Sequence, residues 1–198
     1  MWFRADNWKE KSMNIAKAVQ EHMLEESKKC KNDYRDAYVE HFVPVVKYAK
    51  QLAKEVGADQ EVVEIAAWLH DIGSIHGYKD VHHEYGRDYA QKYLSGVGYP
   101  QDKIDMVKHA IYAHRGSKSI ERETKEAECV ADADAFSHIY NVVSLFRLAF
   151  KDKQLETDDA REFVRSKLER SHKKLSTHAR GIIDEYYSAA MIILREED

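Results

Sequence analysis

The chain has 198 residues, of which 43% are hydrophobic and 33% are charged, and its formal net charge is −4. This composition is typical of one soluble domain with a strongly charged surface, and it gives no general attraction to nucleic acid duplexes or anionic membranes. No apolar run has membrane-spanning length and no signal peptide is recognisable, so we expect a cytoplasmic protein. The two cysteines, Cys30 and Cys129, form no CxxC motif, and we expect both to be reduced thiols.

Helices account for the whole predicted architecture. Only two prolines and eight glycines occur in the chain, and both residue types destabilise helix interiors. Alternating strand-like segments joined by Asn-Gly or Asp-Gly turns are absent. We therefore expect a single all-α domain over residues 1–198. It begins with an amphipathic helix in which Ile15, Val19 and Met23 recur at helical spacing.

The second predicted helix contains the first candidate functional residue. Its apolar stripe has i, i+3, i+4 and i+7 spacing and ends at Val56. Because Pro44 is tolerated only in a first turn, we expect the helix to begin near residues 40–43, and Gly57 is a suitable C-terminal cap. His41 lies on the apolar face at the helix start, where a histidine by itself is more often a packed core residue than a ligand.

The next helix ends in an adjacent histidine and aspartate. Asp59 is a suitable N-cap, and the apolar stripe after it runs into His70-Asp71 and then Gly73. An ionisable pair at the end of an apolar segment is costly to bury without a partner. A metal ion is such a partner, because neutral imidazole and carboxylate both bind divalent transition metals.

Two more histidine-containing segments follow. The pair His82-His83 precedes a predicted helix through Tyr89, Ala90, Tyr93 and Leu94. In the predicted helix after it, His114 lies on the apolar face, according to its spacing from the apolar residues of that helix. Arg115 and Lys118 come directly after His114 and offer positive charge beside it.

The segment from Ala127 to Tyr140 is small and apolar except for a few polar residues, among them Asp132 and Asp134. One interpretation is a pair of solvated acids on a weakly amphipathic helix. The other is one inward ligand and one outward acid, since positions i and i+2 lie on roughly opposite sides of a helix. The apolar pattern does not choose between them.

The C-terminal part of the chain shows helical patterns without a catalytic constellation. Asp158 is a suitable N-cap for one helix, and we interpret residues 168–174 as a solvated face of that helix. The last helix, from Ala179 to Leu194, is interpreted as a packing or dimerisation element. A homodimer is therefore left open by the sequence.

Taken in order, the candidate ligands form the pattern His … His-Asp … Asp. This pattern, with the sequence His70-Asp71-Ile72-Gly73 at its centre, resembles the HD-domain superfamily of metal-dependent phosphohydrolases, and its small bacterial members in particular. The resemblance covers roughly residues 38–140, and residues 141–198 form a C-terminal helical extension. It implies a helical bundle that holds one or two divalent transition metal ions, such as iron or manganese.

The resemblance also implies a ligand set. The four core ligands correspond to His41, His70, Asp71 and Asp134. Asp134 matches better than Asp132, because the last aspartate of the family is usually followed, two residues on, by a large apolar residue, here Phe136. Many members have two further histidines that bind a second ion, and His83 and His114 resemble these.

The activity implied by the resemblance is hydrolysis of a phosphoester or phosphoanhydride bond by metal-activated water, in a phosphorylated, nucleotide-like small molecule. Asp71 would bridge the two ions, His82 would donate a proton, and Arg115 and Lys118 would neutralise the phosphate. Further candidates for the last two roles are His76, His138 and Lys79.

Two other functions are compatible with the same ligands. A few HD-domain proteins use a six-ligand site with two irons to oxidise C–H bonds with dioxygen. A di-iron oxygenase acting on a small polar substrate is therefore the alternative. A regulatory module that binds metal without turnover is a third interpretation, and the completeness of the ligand set argues against it.

Overall fold

The structure, a computed structural model, describes residues 7–115 and 120–195, with side chains described from Ile15 onward. Lys118, one of the predicted phosphate-neutralising residues, lies outside the described residues. The described chain contains no strand, which confirms the all-α prediction. Its helices are α1 (Asn7–Lys29), α2 (Val43–Val56), α3 (Gln60–Leu69), α4 (Ile72–Ile75), α5 (His82–Gly96), α6 (Gln101–Ala113), α7 (Lys125–Tyr140), α8 (Val142–Arg147), α9 (Thr157–Lys173) and α10 (Thr177–Ile193). None of them is both long and apolar enough to cross a membrane.

Helix α7 lies at the centre of the bundle and packs against α2, α3, α6, α9 and α10. From Glu126 to Ile139 its residues are buried, with Glu128 as the exposed exception. Alanines at alternate positions, such as Ala131 and Ala133, let the surrounding helices approach closely. A helix covered on every side has no single apolar face, which explains the diffuse apolar pattern of this segment in the sequence.

The predicted second helix has two parts. Helix α2 has Pro44 in its first turn and Gly57 as a left-handed cap with φ of 70°, as the sequence predicts. A π-helical turn, Tyr38–Phe42, leads directly into α2. This turn contains His41, and its neighbour Phe42 is fully buried. His41 therefore lies in a widened helical turn beside the core, a feature that often occurs at functional sites.

Helix α3 begins at its predicted cap. The Asp59 carboxylate accepts hydrogen bonds from the backbone N–H groups of Glu61 and Val62, both at 3.1 Å. At the other end, α3 stops at Leu69, and the next two residues form the turn to α4. The His-Asp pair therefore lies at a helix end, as its position after the apolar stripe predicts.

A close backbone contact positions the start of α5. A Cβ atom at Gly73 would lie 2.6 Å from Cα of His82 and 2.7 Å from its carbonyl oxygen. No side chain fits in that space, so the glycine two residues after Asp71 lets α5 begin against α4. This contact places His82 next to the His-Asp turn.

The C-terminal extension is joined to the core by buried contacts. In α9, Leu168 and Ser171 are buried, and the side chain of Lys174, 8% exposed, forms an ion pair with Asp134 of α7. The interpretation of residues 168–174 as a solvated face was wrong, because one side of this segment packs against α7.

We predict that Gly73→Ala destabilises the protein by about 1–3 kcal/mol, because the added methyl group has to displace backbone atoms of His82. Urea denaturation followed by circular dichroism measures the free energy of unfolding. Gly96→Ala is the matched control, since nothing lies within 4 Å of a Cβ at that helical position. It should be neutral or stabilising by up to about 1 kcal/mol. Equal stability of Gly73→Ala and wild type would contradict the close contact.

Candidate metal centre

Side chains from three separate segments meet at the predicted core ligands. The Nε2 atoms of His41 and His70 lie 3.0 Å apart. His41 Nε2 also lies 3.7 Å from Oδ2 of Asp71 and 3.4 Å from Oδ1 of Asp134. His70 is fully buried, and both aspartates are buried. The structure therefore brings together all four residues that the sequence pattern relates to the core ligands.

A second group of side chains lies near the other carboxylate oxygen of Asp71, Oδ1. Asp71 Oδ1 is 3.5 Å from His82 Nε2 and 3.8 Å from His114 Nε2. The two histidine Nε2 atoms are 3.3 Å apart. One carboxylate thus presents Oδ2 to the first group and Oδ1 to the second, which is the arrangement of a bridging ligand.

The structure differs from the sequence-based assignment at His83. This side chain is fully buried, and among the described residues it is not part of any group of ligand atoms around Asp71. Its ring stacks on Tyr112, and its Nδ1 atom lies 3.3 Å from the Arg115 guanidinium. Successive residues of a helix differ by about 100° in direction, so only one of two adjacent histidines can face the cluster. That histidine is His82.

A third histidine lies beside the first group. His138 Nε2 is 3.7 Å from Oδ1 of Asp134, and its ring stacks on that of His41 with centroids 5.4 Å apart. Within the described residues, three trios have ligand atoms within 4.8 Å of one another. They are His41, His70 and Asp71; His41, Asp134 and His138; and Asp71, His82 and His114.

The two aspartates of α7 point in different directions. Asp132 accepts hydrogen bonds from the backbone N–H of Ser176 at 3.0 Å and from its hydroxyl at 2.6 Å. Asp134 faces the histidines and pairs with Lys174. Burial raises the pKa of Asp132. Burial has the same tendency at Asp134, but the Lys174 ammonium and the neighbouring histidines together outweigh it, and the pKa lies well below its usual value. Asp134, and not Asp132, therefore offers a carboxylate to the cluster.

Hydrogen bonds to the backbone orient three of the histidines. The Nδ1 atoms of His70, His82 and His114 lie 2.7, 2.7 and 2.5 Å from the carbonyl oxygen three residues earlier in the chain. A carbonyl oxygen only accepts, so we assign the ring proton to Nδ1 in each case. The lone pair of each Nε2 atom is then directed at the cluster.

His41 is oriented in the same way by a serine. Ser137 Oγ donates to the backbone carbonyl of Asp134 at 2.8 Å. Its oxygen can therefore accept from Nδ1–H of His41, which lies 3.1 Å away. This assignment also leaves Nε2 of His41 as an acceptor directed at the cluster.

Two pairs of acceptors therefore face each other, His41 with His70 and His82 with His114. Such lone pairs repel unless a proton or a metal cation lies between them. Burial opposes the proton, since it lowers the pKa of His41 to about 4 and holds that of His114 well below its usual value. Neutral imidazoles with buried carboxylates form a donor set that fits a divalent transition metal.

The cluster lies at the wall of a cavity of about 450 Å³. Arg115 lines this cavity, and its guanidinium donates to the backbone carbonyl of Asp80. Lys167 and Lys174 also line it, although sequence reasoning attached no function to them. A signal was present: these two residues and Arg170 have i, i+3, i+7 spacing, which places three cations on one side of α9.

Part of this chain is similar in sequence to proteins named Ribonuclease Y. Ribonuclease Y from Thermoanaerobacter pseudethanolicus is 34% identical over 111 residues, which cover 55% of this chain and 20% of that protein. Ribonuclease Y from Alkaliphilus metalliredigens is 33% identical over 111 residues, 55% of this chain and 21% of that protein. The matched segment thus spans about a fifth of these curated relatives.

A solved structure has a similar fold. It is described as a predicted HD superfamily hydrolase from an uncultured Thermotogales bacterium. It aligns over 88% of this chain and 92% of that chain, with a TM-score of 0.53 and 23% sequence identity. At this identity the likeness concerns the fold.

The family model of the HD domain matches residues 38–139, just over half of the chain. This segment begins at the π-helical turn that contains His41 and ends in α7, after Asp134. It agrees with the extent of the resemblance that the His-Asp pattern indicates. This chain belongs to the HD domain family.

Proposed function

We propose that this protein is a metal-dependent phosphohydrolase that cleaves a phosphoester or phosphoanhydride bond in a nucleotide-like small molecule. The observation that supports the metal dependence is the two pairs of facing imidazole acceptors on either side of Asp71. Family membership and the relatives support the reaction class: the relatives are named as ribonucleases, and a ribonuclease cleaves phosphodiester bonds. A cavity of about 450 Å³ is within the range that small-molecule ligands occupy.

We assign two ions to the cluster. The residues that would hold the first are His41, His70, Asp71 and Asp134, and those that would hold the second are Asp71, His82 and His114. This assigns His82 to metal binding in place of His83, and not to proton donation. When bound, iron, manganese or a similar ion supplies Lewis acidity and makes hydroxide available near neutral pH.

The side chains of this protein prepare the site for that chemistry. The backbone carbonyls and Ser137 hold the imidazoles in the tautomer that binds metal. Lys174 is the strongest of the charges that favour the ionised form of Asp134. Arg115 presents a cation at the cavity wall, and we retain Arg115 and Lys118 as candidates for neutralising the substrate phosphate.

The assignment of the second ion predicts a difference between two adjacent histidines. His82→Ala should lower bound manganese from about two ions to about one per chain, because it removes a ligand that faces Asp71. Plasma mass spectrometry after equilibration and desalting measures the content. His83→Gln is the matched control and should retain both ions. The opposite result would restore His83 as the ligand.

Substitution of the two aspartates of α7 should also have different effects. Asp134→Asn should reduce metal content at least tenfold, since it removes a charged ligand. Asp132→Asn should retain the metal and lower the free energy of unfolding by about 1 kcal/mol, because it weakens the contact with Ser176. Metal analysis and urea denaturation of both variants test this pair of outcomes, and loss of metal from Asp132→Asn would refute it.

Activity assays test the reaction class. With manganese, wild type should release nitrophenol from bis(p-nitrophenyl) phosphate or phosphate from nucleotides, and Asp71→Ala should lose both its metal and at least about 10³-fold of the rate. The same preparation loaded with iron should consume no dioxygen when small polar substrates are added. Substrate-dependent oxygen consumption without phosphate chemistry would favour the di-iron oxygenase instead.

A further inference from the structure

Seven cationic side chains line the cavity within the described residues: Lys79, Arg115, Arg147, Lys153, Lys167, Arg170 and Lys174. A cation that binds substrate has to be available for it, so the contacts that each one already makes are informative. Most of the seven are already engaged by groups of the protein.

Three of these cations form ion pairs. Lys79 pairs with Asp33 at 3.0 Å. Arg147 pairs with Asp36 and with Glu40. Lys174 pairs with Asp134, as described above. Their charge is therefore largely balanced by the protein itself.

Two more have partners of other kinds. The Arg115 guanidinium donates to a backbone carbonyl and lies 3.3 Å from the ring of His83. The Lys153 ammonium lies over the ring of Phe163, 5.3 Å from its centroid. Such a contact attracts the ammonium to the negative face of the ring.

Lys167 and Arg170 differ from the rest. Among the described residues, neither side chain forms a hydrogen bond or an ion pair. Lys167 is half-buried, and Arg170 is exposed one turn further along α9. Burial lowers the pKa of Lys167, with the carboxylate of Asp134 acting in the opposite direction. A partly buried ammonium that is paired directly with no carboxylate costs free energy, part of which a bound anion would recover.

We propose that Lys167 and Arg170 form a phosphate-binding subsite of the cavity, with Lys167 as the inner contact and Arg170 as the outer one. This inference rests on the proposed function, because it assigns the phosphate of the substrate to a particular helix. Residues three apart on a helix are neighbours, so both cations reach one anion. Lysine binds phosphate as a point charge, and arginine binds it through its fork of N–H groups. The C-terminal extension thus supplies substrate recognition to a metal centre built by the HD domain.

Inorganic phosphate is the probe that tests this subsite, with binding to the manganese-loaded protein measured by isothermal titration calorimetry. Lys167→Met should weaken the phosphate affinity about tenfold or more, because it removes a charge-assisted contact. Arg170→Gln should weaken it about threefold, since water screens the more exposed charge. Lys167→Arg should restore the affinity to within about threefold of wild type.

Lys153→Met is the control, because it removes a cation from the same cavity whose partner is an aromatic ring. Its phosphate affinity should stay within about twofold of wild type. The stability of Lys167→Met provides a separate readout. If Lys167 serves binding and not structure, replacing it with an apolar side chain should leave the urea midpoint unchanged or raise it.

The two proposals fail in different ways. Phosphate affinity that is equal in wild type and Lys167→Met overturns the subsite, even if the wild type hydrolyses phosphoesters. A large loss of stability in Lys167→Met overturns it as well, since the lysine would then be structural. Phosphate binding that depends on Lys167 in a protein without hydrolytic activity supports the subsite and refutes the proposed function alone.

Discussion

Two carboxylates inside a helix that is buried on every side are the constraint on which the rest of this structure depends. Both carboxylates are buried in α7, so Asp132 and Asp134 each require a partner from another element. Ser176 supplies it for Asp132, and Lys174 together with the histidine cluster supplies it for Asp134. Ser176 and Lys174 both belong to the C-terminal extension, while Arg122, 3.8 Å from Asp132, belongs to the core segment. The extension is therefore joined to the core through the same helix that contributes a candidate metal ligand.

Burial also determines which ring nitrogen of each histidine carries the proton. A buried imidazole is stable as a neutral group, and its single ring proton has to be donated somewhere. Here backbone carbonyls and one serine accept the Nδ1 protons, so the Nε2 lone pairs converge. Convergent acceptors in a buried site are unfavourable without a cation between them. The cost of this arrangement in the absence of a cation is the physical reason why the cluster is interpreted as a metal centre and not as polar packing.

The HD domain and the extension make different contributions to the site. The matched family segment contains the ligand cluster, whereas most of the cavity wall beyond it consists of residues outside that segment or at its edges. Ion pairs between α8 and the π-helical turn, such as Arg147 with Glu40, balance part of the charge at the cavity wall. Lys167 and Arg170 of α9, and Lys174 directly after it, line the cavity beside the cluster. In the function that we propose, the family core accounts for the chemistry and the extension for substrate binding.

Local sequence signals determined much of this protein. The scarcity of proline and glycine predicts an all-α fold, and Pro44, Gly57 and Asp59 mark helix ends where the structure has them. The histidines and aspartates predict the family, because they follow one another along the chain in the order His … His-Asp … Asp. These features depend on backbone propensity and on spacing within one helix, and both can be read from neighbouring residues.

Only the tertiary structure decided which side chains meet. His82 and His83 are adjacent in sequence, and the choice between them depends on the exact direction in which α5 starts against Gly73. The choice between Asp132 and Asp134 depends on what surrounds α7, and a helix without an exposed face carries no periodicity to show it. Arg170 and Lys174 were assigned to a solvated face for the same reason: a charged stripe facing a cavity has the same spacing as one facing water. Burial by distant segments distinguishes the two cases, and that information exists only in the folded chain.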